Sequence, residues 1–293
     1  MFLSTAKEII EVCNKENITI AEYTMREESQ TSDLSREVLI KKMRENLEVM
    51  KSSSQEGMDK EVISLSGLIG GDAIKIRKYF EEKETLCGSF MVKAMARALS
   101  CSEVNASMGR IVAAPTAGSC GIIPAAIITA GEKLNKTDDD MITALFTASG
   151  VGVLIAQNAT LAGAEGGCQA ECGSAAAMAA AALVEMMGGT PQMAFDAGAM
   201  VIKNVEGLVC DPIAGLVEIP CAKRNVAGVV SALTMADVAM AGVESKIPFD
   251  DTIISMYKIG KGLPSELRET GMGGLAVTPC GLRLRKKALG VSK

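Results

Sequence analysis

The sequence predicts a mainly α-helical fold with a bundle-like arrangement, and three observations support this prediction. Long segments rich in Ala, Leu and Met have the composition of helices, because Ala has the highest helix propensity. Gly and Pro clusters interrupt these segments, as they do at helix ends. The chain shows neither an internal repeat nor the regular alternation of strand and helix patterns that a parallel sheet requires. We expect one domain, residues 1–293, with Gly- and Ser-rich loops between its helices.

The N-terminal part of this domain, residues 1–57, is expected to form a charged helical layer. Thr5 and Glu8 have the spacing of a capping box at the start of a helix. Asn14 to Asn17 interrupts the apolar pattern, and apolar residues then recur on one helical face from Ser35 to Lys51. The Ser-rich composition of Lys51 to Gly57 predicts a loop that ends this layer.

Residues 58–293 are expected to form a Gly- and Ala-rich catalytic core within the same domain. A Gly/Ser turn runs from Ser64 to Ala73 and leads into a charged helical segment. Three later segments predict helices, which are Gly173 to Met187, Gln192 to Val205 and Val226 to Val243. The Gly188 to Pro191 sequence would end the first of them.

Composition excludes several classes of function. The net charge of −5 and pI of about 5.1 do not give the basic surface of a nucleic-acid-binding protein. Because the chain has no His, it cannot supply a Ser–His–Asp triad, a His-ligated metal or a His base. A general base must be Lys, Asp, Glu, Ser, Cys or Tyr, or must come from a partner. The N-terminus has no apolar signal core, and nine Cys fit a closed disulfide set poorly, so we expect a cytoplasmic protein with reduced thiols.

The uncharged segment from Met141 to Ala164 is long enough to span a bilayer. It contains Gln157 and Asn158, however, and it lacks flanking basic clusters and interfacial Trp or Tyr. Its small residues suit close helix packing in a buried core, so we expect no membrane span. A non-enzymatic helical membrane or scaffold protein remains an alternative.

One loop has the features of an anion site. An apolar run leads into a turn of small residues that ends at Gly121, before a helix expected from Ile122 to Leu134. Gly118 allows backbone N–H groups to approach a ligand, a helix N-terminus favours anions, and Thr116 and Ser119 add hydroxyl donors. The alternative is a tight loop between core helices. No Gly-Lys-Ser/Thr follows, so this is not a nucleotide-binding P-loop.

Four cysteines lie in Gly- or Pro-containing segments, namely Cys168, Cys172, Cys210 and Cys221. Thiolates bind iron–sulfur clusters, and backbone N–H groups at turns can donate to the cluster sulfurs. Their spacing alone is a weak signal, because the closely spaced ferredoxin pattern is missing. Buried cysteines that pack as small hydrophobic residues are the alternative.

These motifs resemble a known family. The segments that show the resemblance are Ser64 to Ala73, Met108 to Pro124, Gly163 to Gly173, Leu208 to Asn225 and Thr270 to Thr278. They closely resemble the α subunit, or α domain, of bacterial iron–sulfur-dependent L-serine dehydratases, and the resemblance covers nearly the whole chain. The run from Cys210 to Cys221 is specific to this pattern. A related family, the cysteine-desulfidase-like proteins, shares parts of it.

The resemblance implies a 4Fe–4S cluster bound by Cys168, Cys210 and Cys221, with the fourth iron open to substrate. It implies conversion of L-serine to pyruvate and ammonia by dehydration, with the open iron acting as a Lewis acid on the substrate hydroxyl. Such a lyase belongs to amino-acid catabolism and supplies gluconeogenesis. In single-chain relatives a C-terminal Cys can cap the open iron, and Cys280 is the possible fourth or capping thiol here.

For the reaction that the resemblance implies, we expect the substrate to be bound at Thr116, Gly118, Ser119, Arg224 and Asn225. The first three would hold the serine carboxylate. The catalytic base stays open, and the candidates are Ser64, Ser66 and Lys223. The alternative interpretation of Lys223 to Asn225 is a solvated turn.

The family occurs both as fused single chains and as two separate subunits, and this chain matches only the α part. We therefore expect a hetero-oligomer with a separate β subunit, which carries a Ser/His-containing motif in relatives. L-Cysteine desulfidation by the same cluster chemistry is the alternative function. A pyridoxal-phosphate dehydratase would need a Schiff-base Lys in a strand–turn context, and we find none.

Overall fold

The computed structural model describes residues 2–290, and this part of the chain is helical with no strand. The helices are α1 Ala6–Glu16, α2 Ile20–Ser32, α3 Arg36–Asp59, α4 Asp72–Glu82, α5 Gly88–Ala106, α6 Ile122–Lys133, α7 Asp138–Asn158, α8 Gly163–Gly166, α9 Ser174–Met186, α10 Pro191–Val205, α11 Cys221–Met240, α12 Phe249–Gly262 and α13 Pro279–Ala288. Short 3₁₀ turns cover Ala117–Ser119, Ile213–Gly215, Ser265–Leu267 and Gly274–Val277, and a π-helical turn covers Gln169–Gly173. The predicted mainly α fold class is confirmed.

Helix α9 lies at the centre of the molecule and packs against α6, α7, α10 and α11. Nearly all of its residues are buried, and most are Ala. Because Ala side chains are short, neighbouring helices can approach α9 closely on every side. This arrangement explains how a chain with 3 % aromatic residues still builds a large core. The predicted helices at 173–187 and 192–205 correspond to α9 and α10.

The N-terminal helices confirm some sequence predictions and correct one. Thr5 and Glu8 form the expected capping box, and α1 ends at Glu16. The predicted loop at 51–57 is wrong, because α3 continues to Asp59. Its Ser-rich end packs on α5, where the backbone N–H of Gly57 donates to Ser100 Oγ at 2.7 Å. The boundary expected after residue 57 therefore falls inside a helix.

Helix α7 is long and apolar enough to cross a membrane, and it is alone in this among the helices of residues 2–290. Of its most apolar 18-residue window, 67 % is buried inside the protein. It packs against α2 and α9. This burial is what a core helix shows.

Helix α11 begins five residues earlier than its predicted start at Val226. Cys221 is its first residue, and Lys223, Arg224 and Asn225 lie in its first turns. The alternative of a solvated turn at 223–225 is therefore wrong for the backbone. The functional consequence is that a helix N-terminus begins at one of the predicted cluster ligands.

Candidate metal centre and active site

Three segments distant in sequence are joined by backbone hydrogen bonds at the predicted cluster site. The N–H of Gln169 donates to the carbonyl of Leu208 at 3.1 Å. The N–H of Cys210 donates to Leu267 at 2.8 Å, and the N–H of Glu269 donates back to Cys210 at 2.7 Å. The segments around 168, 210 and 268 thus form one connected framework.

The three predicted ligands are buried free thiols in electrostatic contact. Burial, together with the charge of Cys168, raises the pKa of Cys221 to about 12 and raises that of Cys210 as well. Cys221 also raises the pKa of Cys210. Because a charge on Cys168 opposes ionisation of Cys210 and Cys221, a cation or a metal cluster bound among the three would stabilise their thiolates.

Cys172 lies beside Cys168. A hydrogen bond from the Cys172 thiol lowers the pKa of Cys168, with burial opposing and Arg224 reinforcing this effect. The ligand atoms of Cys168, Glu171 and Cys172 all lie within 4.8 Å of one another. Cys168 is therefore the thiol most disposed to ionise, and Cys172 is the donor that supports it.

Arg224 supplies a buried positive charge next to these thiols. Its Nη2 donates to Asp211 Oδ1 at 2.9 Å, and Asp211 Oδ2 accepts from the N–H of Leu275 at 2.7 Å. Burial lowers the pKa of Arg224, but the negative charges of Cys168 and Asp211 raise it, and the net shift is upward. Its Nη1 is buried and has no hydrogen-bond partner among residues 2–290. One donor of a fixed guanidinium is thus left for a ligand.

Glu171 occupies the predicted anion loop. Thr116 Oγ1 donates to Glu171 Oε1, and Ser119 Oγ lies 3.1 Å from Thr116 Oγ1. A Cβ at Gly118 would lie 2.5 Å from Glu171 Oε1, so the loop needs a glycine there. Burial raises the pKa of Glu171, with Glu269 adding to the shift and Thr116 opposing it. The loop binds a carboxylate in this structure, but it is the protein's own.

Gly163 opens a small space within the site. A Cβ on this residue would lie 3.2 Å from Cys210 Sγ, 3.3 Å from Glu269 Oε2 and 3.4 Å from Glu171 Oε2. One sulfur and two carboxylate oxygens therefore surround a single point. Gly163 leaves that point clear of side-chain atoms.

Two of the candidate bases are tied to the ligand loop. Ser66 Oγ donates to Glu218 Oε2 at 2.6 Å, and Ser64 Oγ lies 3.4 Å from Ser66 Oγ. Glu218 is buried and precedes Cys221 by three residues. Ser66 thus has a carboxylate that can accept its proton.

The other predicted residues differ in their placement. Lys223 Nζ pairs with Asp72 at 2.5 Å, and its side chain is 61 % exposed. Asn225 is buried, accepts from the N–H of Gly121 at 2.9 Å and donates to the carbonyl of Gly118 at 2.7 Å. Asn225 therefore holds the anion loop. Cys280 is exposed near the start of α13, whereas the three predicted ligands are buried.

Sequence reasoning did not select Glu171, Glu269, Asp211, Glu218 or Gly163. Glu171 carried a usable signal, because it is the single charge in the otherwise uncharged stretch from 166 to 184. Its spacing from Cys168 also places the two on one helical face. Nothing in the sequence connects Glu269 with Cys210, since their proximity arises from the tertiary fold.

The chain matches the family described as serine dehydratase alpha chain over residues 15–276. It belongs to this family. It is 48 % identical over 287 residues to the "L-serine dehydratase, alpha chain" of Peptoniphilus asaccharolyticus, which covers 98 % of each chain. It is also 48 % identical over 284 residues to the "Probable L-serine dehydratase, alpha chain" of Bacillus subtilis, covering 97 % of this chain and 94 % of that one.

Other members of the family are longer. The "L-serine dehydratase" of Helicobacter pylori is 33 % identical over 281 residues. The match covers 94 % of this chain but 61 % of that protein. Relatives of the serine dehydratase α chain family thus occur both at this length and with a substantial additional region.

Proposed function

We propose that this chain is the catalytic α chain of an L-serine dehydratase, a lyase that converts L-serine to pyruvate and ammonia. The observation that carries the proposal is that Cys168, Cys210 and Cys221 are buried free thiols in electrostatic contact, with the fixed guanidinium of Arg224 beside Cys168 and Cys221. The chain is 48 % identical, over nearly its whole length, to chains named as L-serine dehydratase α chains, and this supports L-serine as the substrate.

We further propose that these three cysteines hold a 4Fe–4S cluster. The donor set fits, because thiolates are the usual ligands of such clusters, the Cys172 thiol can donate a hydrogen bond to sulfur, and the charge of Arg224 lies nearby. When bound, the cluster would supply an open iron as a Lewis acid for the substrate hydroxyl.

The chain's own residues would orient the substrate and move its proton. Arg224, fixed by Asp211, would bind the serine carboxylate through its free Nη1. Ser66 Oγ would accept the α-proton as its own proton passes to Glu218 Oε2. Loss of the β-hydroxyl as water then gives aminoacrylate, which tautomerises to an imine and hydrolyses to pyruvate and ammonia. Burial of the site keeps bulk water from competing.

We propose a separate β subunit as the partner and the cytoplasm as the location. The relatives named as α chains imply another chain, and the longer relatives extend beyond the region that this chain matches. The chain has no His, so a His at the active site would have to come from that partner. Nine free thiols fit a reducing compartment.

Anaerobic reconstitution tests the proposal, with iron and sulfide counted per chain and turnover measured for L-serine and L-cysteine. We expect serine to be the better substrate, and preferred turnover of cysteine would favour desulfidation instead. Alanine at Cys168, Cys210 or Cys221 should abolish cluster binding and activity. Alanine at Cys13 or Cys101, which are equally buried but lie in α1 and α5, should do neither.

The same preparation tests the partner. We expect the reconstituted α chain to bind iron alone but to reach full activity only with the β subunit. Full dehydratase activity of the α chain by itself would contradict the separate-subunit proposal. A cluster retained after alanine substitution of any of the three ligands would overturn the ligand assignment.

A further inference from the structure

Two carboxylates at the site form no ion pair with a cationic side chain of residues 2–290. The side chain of Glu269 forms neither a hydrogen bond nor an ion pair with any residue from 2 to 290, and Glu171 accepts only from Thr116. Their Oε2 atoms lie 3.3 and 3.4 Å from the position that a Cβ on Gly163 would take, so the two carboxylates are close neighbours. Glu171 is buried and Glu269 is half-buried, and placing two like charges this close is costly unless a positive charge joins them. The geometry therefore calls for a small cation between them.

The backbone fixes the position of Glu269. Its N–H donates to the carbonyl of Cys210 at 2.7 Å, and its φ of 67° lies in the left-handed region. A residue with a long side chain adopts this region at a cost, so the surrounding structure must hold it there. The carboxylate is thus placed beside Cys210 by a constrained main chain.

The opposite charge lies nearby with a free donor. Arg224 acts electrostatically on Glu171, and its buried Nη1 lacks a hydrogen-bond acceptor in the described chain. The site therefore has two carboxylates, of Glu171 and Glu269, on one side and the guanidinium of Arg224 on the other. An α-amino acid carries an ammonium and a carboxylate on one carbon, which is the complementary pattern.

We propose that Glu171 and Glu269 bind the α-ammonium group of the amino-acid substrate, while Arg224 binds its carboxylate. This inference rests on the proposed function, since it assigns the orientation of serine in that site. In this arrangement, the pair of carboxylates is the feature by which the site binds amino acids in preference to hydroxy acids. Thr116 and Gly118 then position Glu171, and the predicted anion loop acts on substrate through this carboxylate.

Paired analogues test the assignment on the reconstituted holoenzyme. L-Alanine and L-lactate both lack the β-hydroxyl and differ in the group on Cα, which is ammonium in one and hydroxyl in the other. Their dissociation constants are measured by calorimetry, and iron and sulfide are counted in each preparation. The variants are Glu171→Gln and Glu269→Gln, which keep the side-chain size and remove the charge. Glu165→Gln, an exposed carboxylate of α8, is the matched control.

We expect wild type and Glu165→Gln to prefer L-alanine over L-lactate, and each site variant to reduce that ratio at least tenfold with unchanged iron content. An unchanged ratio in both site variants would overturn the inference. Loss of iron from a variant would also count against it, because that carboxylate would then support the cluster. A wild-type holoenzyme that shows no serine turnover even with the β subunit present would instead refute the proposed function, so the two failures are distinguishable.

Discussion

A methyl group placed at Gly163 tests the site more sharply than removal of any ligand. The backbone of this residue is not in the left-handed region, so Ala can adopt it without strain. In a helix, Ala is favoured over Gly by about 0.5–1 kcal/mol. The new Cβ would meet three polar atoms at 3.2–3.4 Å, which requires shifts of a few tenths of an ångström. Overpacking of this kind costs about 1–3 kcal/mol.

The two effects leave a net loss of about 0–2.5 kcal/mol in the free energy of unfolding. For a chain of 293 residues that corresponds to a melting temperature at most about 4 °C lower. The methyl group would nevertheless fill the space between Cys210, Glu171 and Glu269. We therefore expect Gly163→Ala to remain folded while its kcat/KM for L-serine falls at least tenfold.

The assay compares thermal melting, iron content and serine turnover for Gly163→Ala and a matched glycine variant. Gly262→Ala is the control, because a Cβ at Gly262 would have no neighbouring heavy atom within 4 Å. Like Gly163, Gly262 is a terminal residue of a helix and does not have a positive φ. Equal kcat/KM in the two variants would refute the reasoning. It would mean that the space at Gly163 is not used by substrate.

Three further predictions concern charged and thiol groups. Arg224→Lys should raise the KM for L-serine about tenfold, which corresponds to about 1.4 kcal/mol. A Lys ammonium cannot donate to Asp211 and at the same time offer the planar pair of N–H donors that a guanidinium offers to the substrate carboxylate. An unchanged KM would contradict the role of Arg224. Cys172→Ala should keep the iron content but lose iron to a chelator about tenfold more readily, because the donor to Cys168 is removed; iron absent from the start would make Cys172 a ligand. Burial raises the pKa of Glu103 from 4.5 to about 7. Between pH 4.5 and about pH 7 the folded chain therefore keeps a proton on Glu103 that the unfolded chain has released. The free energy of unfolding consequently falls as pH rises through this range. Glu103→Gln should remove about 2 kcal/mol of that dependence, measured as the change in unfolding free energy between pH 5 and pH 8, and an identical slope in both proteins would show that Glu103 does not titrate there.

The helical architecture could be predicted because it follows from local composition. The Ala-rich stretch that became α9 and the Thr5 capping box depend on residues close in sequence, and both were recognised. The loop prediction at 51–57 failed for a tertiary reason. Ser53, Ser54 and Gly57 have low helix propensity, but their small side chains fit against α5 and packing overrides propensity.

The candidate site was predictable to the extent that its groups lie within motifs. Cys168, Cys210 and Cys221 were selected through the family resemblance, and the structure buries them in electrostatic contact, although their role as ligands stays a prediction. The anion loop was recognised as a carboxylate site, but sequence could not indicate that Glu171 would occupy it. That contact joins residues 55 positions apart, so no local pattern encodes it.

The arrangement of helix ends places positive potential at the predicted ligand site, which would favour thiolates bound to a metal there. Helix α11 begins at Cys221, and the π-helical turn that contains Cys172 runs directly into α9, so the N-terminal ends of two packed helices lie at the thiols. Each N-terminus carries a partial positive charge from unpaired N–H groups, which favours nearby anions. Arg224 adds a full charge from the first turn of α11. The close packing of α9 against α11 is therefore part of the electrostatics of the site. A bulky residue in the Ala face between these helices would move one N-terminus away from the thiols, although it touches none of them.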